Sequence, residues 1–243
     1  MRRVLAFFLI CATGICATTA AMIVWQDIAL EQSYRSLSLS AVSDTNKAAD
    51  NLSVNWDVLY DQNDEVVGWL SVNGTPIDYP VVQTRGDTPA GFYLSHDFWR
   101  NPSGNGCLYL DDRSTLEGEH LMVFGHQTGF SNRMFSSLRR AWDARTFHSI
   151  GEARWSTPNQ DSTFQPLCAL KVNEDFDLIQ QFSFEGEADV KTWLNRLLQH
   201  TATAATNAET LIQGAKQVLT LVTCADTIPG TNERTLVVFV LSE

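Results

Sequence analysis

Thr220-Leu221-Val222-Thr223-Cys224 closes an apolar, β-branched run on a thiol, and Arg234 lies ten residues further on, in the next such run. Runs of this composition read as β-strands. A cysteine that ends a strand is held rigidly and still reaches a cleft, as a covalent catalyst must. A lone thiol is more often a small buried hydrophobe, so the surrounding sequence has to decide what Cys224 does.

Outward from the pentad, short apolar runs alternate with turn residues. Val66 to Val72 and Ile77 to Val82 flank Asn73-Gly74, a strong turn signal between β-rich runs. Further strands are expected at Cys107 to Leu110, His120 to Phe124, Pro166 to Val172, Val218 to Thr223 and Thr235 to Leu241. Many short strands with turn signals define a mostly-β barrel or sandwich. Val190, Trp193, Leu194, Leu197 and Leu198 instead recur at helical spacing, which predicts an amphipathic helix over Glu187 to His200. Leu52 to Leu59 is a candidate short helix, and Ala202 to Ala208 reads as a loop.

The chain has 243 residues and a formal net charge of −11, which disfavours nucleic-acid binding. Its charge is unevenly placed. Met1-Arg2-Arg3 precedes Val4 to Trp25, 22 residues without a formal charge, and Asp27 and Glu31 follow. About 20 apolar residues span a bilayer core of roughly 30 Å, and basic residues before the segment orient the N-terminus inward. The expected organisation is a cytoplasmic stub at 1–3, a transmembrane anchor at 4–25, a polar stalk or loosely held helix at 26–51 and an extracellular domain at 52–243. This is a single-pass protein of the cell membrane. The alternative is a signal peptide cleaved among the small residues Ala17 to Ala21. The apolar run continues through Met22, Ile23, Val24 and Trp25, which favours retention.

Of five cysteines, Cys11 and Cys16 fall in the anchor and Cys107, Cys168 and Cys224 outside it. An odd number leaves at least one thiol unpaired within the chain. Export favours disulfides, so a Cys107–Cys168 bridge is one alternative; burial of both in strands is the favoured one. A thiolate needs a nearby cation or imidazolium. Among five histidines, His126 follows Phe124-Gly125 at a strand-to-loop junction, and His120, at the start of the same strand, is the runner-up. Arg234 offers a permanently charged fork of donors for an oxyanion or a substrate backbone; its bland alternative is a solvated strand-end charge. No grouping of acids and histidines has metal-ligand spacing.

These residues resemble the sortase family, the membrane-anchored cysteine transpeptidases of Gram-positive bacteria. Thr220 to Cys224 matches their TLxTC signature, Gly125-His126 is similar to their histidine motif, and Arg234 falls where they carry an essential arginine. Val67-Gly68-Trp69-Leu70, Ile77 to Gln83, Phe92-Tyr93-Leu94, Gly104 to Asp111 and Met134 to Leu138 resemble the class B branch. The Glu187 to His200 helix is similar to the extra helix that branch carries. The loop Gln127 to Arg133 departs from the class B pattern, as does Ala225 directly after the cysteine, which delays the acid to Asp226.

The resemblance implies an eight-stranded sortase-type β-barrel with peripheral helices behind the N-terminal transmembrane helix. It implies Cys224, His126 and Arg234 as catalytic residues, with Thr220, Leu221, Val222, Thr223 and Leu94 binding substrate and Asp226 as an orienting acid. No cofactor is implied. The expected partners are exported proteins with a C-terminal sorting signal, of the Asn-Pro-x-Thr type by class B resemblance, and an amine of the peptidoglycan precursor. Alternatives are pilin polymerisation through a lysine amine, hydrolysis by an exported cysteine peptidase, and a silent wall-binding module with an inert Cys224.

Overall fold

Residues 24–41 form a helix (α1) whose Asp27, Glu31, Tyr34, Leu37 and Ala41 fall on one stripe at intervals of three and four. Tyr34, Leu37 and Ala41 are buried against the rest of the molecule, and the Phe98 backbone N–H donates to the Tyr34 hydroxyl at 3.2 Å. The computed structural model describes residues 22, 24–43, 53–127, 132–225 and 231–242. Most of the expected anchor, 4–21, lies outside the described residues, as does Asp226. No helix among the described residues is long and apolar enough to cross a membrane. In the stretch expected as a stalk or loosely held helix, 26–51, the described part through Ala41 is helical and packs Tyr34, Leu37 and Ala41 against the domain.

Val42–Ser43 (β1) and Ser53–Val54 (β2) pair briefly before Trp56–Tyr60 (α2), where the Asn55 side chain caps by accepting from the Val58 N–H. The main sheet comprises Val66–Val72 (β3), Asp78–Val82 (β4), Leu108–Leu110 (β5), His120–Phe124 (β6), Ala153–Ser156 (β7), Asp161–Asn173 (β8), Thr203–Ala204 (β9), Ala215–Cys224 (β10) and Glu233–Ser242 (β11). These pair in the order β11-β10-β6-β5-β4-β3-β7-β8-β9, and a further β11–β8 ladder closes the ring. Closure takes eight strands. β9 is a two-residue addition to the edge of β8, opposite Cys168 and Ala169. The expected eight-stranded barrel with peripheral helices is therefore present, and closure removes the edge that an open sheet would expose.

Strand alternation sorts the side chains into two apolar layers. Leu121, Val123, Leu219, Leu221, Val237 and Phe239 fill the barrel interior. Met122, Cys168, Val218, Val222, Leu236 and Val238 belong to a separate outer layer. The predicted amphipathic helix, observed at Glu187–Leu198 (α3), covers that layer with Val190, Trp193, Leu194 and Leu197. Each such side chain, fully buried, contributes roughly 1.5–3 kcal/mol.

Cys107 belongs to the interior layer and Cys168 to the outer one, so the two thiols lie in different cores. Both are buried and unbridged, which excludes the disulfide alternative in this structure. Burial pushes both thiols up, Cys107 to about 12, and for Cys168 it is the sole cause.

Three sequence expectations need correction. β7 fell in no expected strand. Part of the expected loop at 202–208 is β9, and a further helix, Ala208–Gly214 (α4), starts at its end. β8 runs over Asp161–Asn173, well beyond Pro166 to Val172. Its first half pairs with β7 and its second with β11.

Candidate active site

β6 and β10 are parallel neighbours, with Val222 in register with Phe124. Both chains continue past that pair toward the same rim, where the Gly125 N–H donates to the Val222 carbonyl at 3.1 Å. Two residues beyond the register pair lie His126 on one chain and Cys224 on the other. β11 returns antiparallel to β10 and places Arg234 directly opposite Cys224. Direct cross-strand partners share a face, with Cβ atoms about 4.5–5.5 Å apart. Three residues far apart in sequence therefore meet at one end of the barrel, on the face that Phe124, Val222 and Leu236 also occupy.

Cys224 is half-buried, whereas Cys107 and Cys168 are sealed in apolar layers. The Cys224 thiol is thus the one cysteine among the described residues that solvent and a peptide can reach.

His126 is held by a backbone contact. Its Nε2 lies 2.7 Å from the Leu94 carbonyl, at the end of a short turn of helix over Phe92–Leu94. A carbonyl only accepts, so Nε2 carries the proton of that bond and Nδ1 is the nitrogen left for chemistry. Gly106, at φ +59°, lets the ring sit there: a Cβ would fall 2.6 Å from the Tyr93 carbonyl and 2.8 Å from His126 Cδ2. The His126 carbonyl accepts from the Phe135 N–H at 3.1 Å, and Gln127 pairs with Met134, so the returning chain braces the histidine. Gly106 and Phe135 were not singled out as site residues; a glycine between Asn105 and Cys107 reads only as a turn.

The Arg234 guanidinium is also tethered. Nη1 donates to the Thr231 carbonyl at 2.9 Å and Nη2 to Glu174 Oε2 at 2.5 Å. Glu174 itself is fixed by its N–H, which donates to the Asn232 carbonyl at 2.7 Å. Arg234, Glu174, Phe124, Val222 and Leu236 line a small cleft of about 60 Å³. Glu174 carries no signal in the sequence, because its partner lies 60 residues away.

His120, the runner-up, is buried away from the rim. Nδ1 lies 2.8 Å from the Gln181 carbonyl and Nε2 2.9 Å from Thr220 Oγ1. Phe182 and Trp193 pack on its ring. Burial pushes its imidazole down to about 4, so it stays neutral near pH 7.

Of the residues expected to bind substrate, Leu94 is exposed and its carbonyl holds His126, and Val222 lines the cleft. Thr220, Leu221 and Thr223 are corrected. Thr220 is fully buried as the partner of His120, Leu221 faces the barrel interior, and Thr223 is buried with no partner for Oγ1 among the described residues. Strand alternation sends Leu221 and Thr223 to the face opposite the thiol. Asp226 lies outside the described residues.

No protein-family model matches the chain. It is 25% identical over 178 residues to sortase B of Staphylococcus aureus, covering 72% of this chain and 70% of the relative. Sortase B of Bacillus anthracis, solved with AAEK1, superposes with a TM-score of 0.72 at 17% identity, over 91% of this chain and 99% of that one. A Staphylococcus aureus sortase B–substrate complex superposes with a TM-score of 0.65 at 23% identity, over 77% and 84% of the two chains. The chain has the fold of the solved sortase B structures and is similar in sequence to sortase B. The relatives compared are all of the class B branch.

Proposed function

We propose that the chain cleaves a C-terminal sorting signal after its Thr and transfers the freed protein to an amine of the cell-wall precursor. The sulfur of Cys224 attacks the Thr carbonyl carbon, and the carbonyl electrons move onto oxygen. Arg234 faces that oxyanion with its fork of donors. On collapse the carbon–nitrogen bond breaks, and His126 passes its proton to the departing amine. A thioacyl enzyme remains on Cys224. The acceptor amine then attacks the thioester, the carbon–sulfur bond breaks, and His126 takes up the proton lost by the amine.

One observation supports this most. Cys224, His126 and Arg234 end or begin three adjacent strands at the same rim, in a register that aligns all three. The likeness to a sortase solved with substrate favours a peptide at this rim. Asn-Pro-x-Thr is the signal expected from the class B resemblance. Residues 4–25 anchor the protein in this reading, with the N-terminus inside and the domain at the outer membrane face, beside exported proteins and lipid-linked precursors.

The test is product analysis with an Asn-Pro-x-Thr peptide, with and without a glycine amine. Transpeptidation predicts an amide product that forms only with the amine present. Free acid alone, unchanged by added amine, would identify a hydrolase.

A further inference from the structure

The face of α1 that meets the barrel carries two acids besides its apolar residues, and both reach the histidine loop. Asp27 Oδ1 accepts from Arg133 Nη1 at 2.8 Å and from Asn105 Nδ2 at 2.7 Å. Glu31 Oε2 accepts from Arg133 Nη2 at 2.7 Å, and the Asp27 carbonyl also accepts from Nη1. The Arg133 side chain is 13% exposed and that of Asp27 34%, whereas Glu31 is 64% exposed, so Arg133 and Asp27 form the more shielded part of the group. Losing a partner of the nearly buried guanidinium costs more than breaking a fully exposed surface pair.

The two residues gathered by Asp27 belong to two different segments that adjoin His126. Arg133 precedes Met134, which pairs with Gln127, and Phe135, whose N–H holds the His126 carbonyl. Met134 is itself held at φ 48°, a left-handed backbone that an unbranched side chain rarely adopts without support. Asn105 precedes Gly106, where a Cβ would fall 2.8 Å from His126 Cδ2 and 3.1 Å from the Leu94 carbonyl. One carboxylate on α1 thus fixes both walls of the histidine's seat.

We propose that Asp27, Glu31 and Arg133 form a clamp through which α1 positions His126, making the helix next to the expected anchor part of the apparatus that orients the acid. This rests on the reading of His126 as the acid, and it assigns Arg133 and Asp27 as positioning residues. Nothing in the clamp touches Cys224 or Arg234 within the described contacts. Its loss should therefore slow the chemical step and leave peptide binding nearly intact.

The experiment uses the full chain in detergent micelles, labelled with 13C-histidine. A fluorogenic Asn-Pro-x-Thr peptide with a glycine amine reports kcat and KM. Arg133→Ala and, on the opposite element, Asp27→Asn are each expected to lower kcat about tenfold to a hundredfold with KM little changed. Both should shift or broaden the His126 ring resonances and leave those of buried His120 in place. Arg133→Lys should recover part of the rate. Unchanged kcat in a folded Asp27→Asn protein overturns the clamp, whether or not the ring signal moves. A drop in kcat with an unmoved ring signal overturns it too. His126→Ala run in parallel separates the two ideas, because wild-type turnover there removes the acid itself rather than its positioning.

Discussion

Cys224 and Arg234 are register partners across the β10–β11 ladder, so the strand pairing itself carries the guanidinium to the thiol's side. Arg234 is further steered by Glu174, at 2.5 Å. Its fork makes two contacts in different directions at once, which a single ammonium does not reproduce. Arg234→Ala is expected to lower kcat roughly 10²–10³-fold, the usual cost of losing one oxyanion donor. Arg234→Lys should recover little of it. Glu174→Gln should cost less than either, since it keeps an acceptor beside Nη2. Steady-state kinetics of the three variants check the order.

The two candidate histidines separate cleanly by position. His126 sits at the rim with Nδ1 left for chemistry, and His120 is locked between Gln181 and Thr220. His126→Ala should abolish turnover with little change in thermal midpoint. His120→Ala should unfold more easily, by about 2–4 kcal/mol for a buried ring and two lost hydrogen bonds, while the folded fraction keeps working. Loss of turnover confined to the His120 variant would reverse the assignment.

Buried His120 also sets a pH dependence of stability. Its folded value is pushed down to about 4 from an ordinary 6.5, so between those limits the unfolded chain binds the extra proton. Stability from this group is fully present above about pH 6.5 and falls as the pH drops toward 4, by roughly 3 kcal/mol in all. Urea unfolding at about pH 7 and about pH 4.5 should show the loss. In His120→Gln the part belonging to this group should vanish, whatever its overall stability.

Gly106 tests how tightly the histidine is seated. Alanine there is strained at φ +59° and places a methyl against His126 Cδ2. Strain of this kind costs about 1–2 kcal/mol. Gly106→Ala should therefore lower the thermal midpoint modestly and kcat by far more. Gly86→Ala, at φ +58° with open space around it, should show the strain without the kinetic loss.

The strands that carry the site were legible because both sides of each one are buried. β6 matches His120 to Phe124, and β10 and β11 extend their expected runs by a few residues. β7 was not legible: Ala153-Arg154-Trp155-Ser156 has one large apolar residue and owes its state to pairing with β3 and β8. The docking of α1 was hidden for a different reason. Its stripe toward the barrel places half-buried Asp27 and exposed Glu31 in line with buried Tyr34 and Leu37, so it lacks an apolar periodicity. Within the pentad, period-two alternation sends Leu221 and Thr223 to the face opposite the thiol, which a reading of the run as one unit does not separate. Long-range partners such as Glu174 and Arg133 appear only once the chain is folded.

The central claim is that Cys224 carries the acyl group. Intact-mass spectrometry of the protein mixed with an Asn-Pro-x-Thr peptide, quenched before amine is added, tests it directly. The account predicts a protein heavier by the acyl fragment, with the adduct mapped to Cys224, absent in Cys224→Ala and discharged by glycine amine. Full peptide cleavage by a folded Cys224→Ala protein would contradict it.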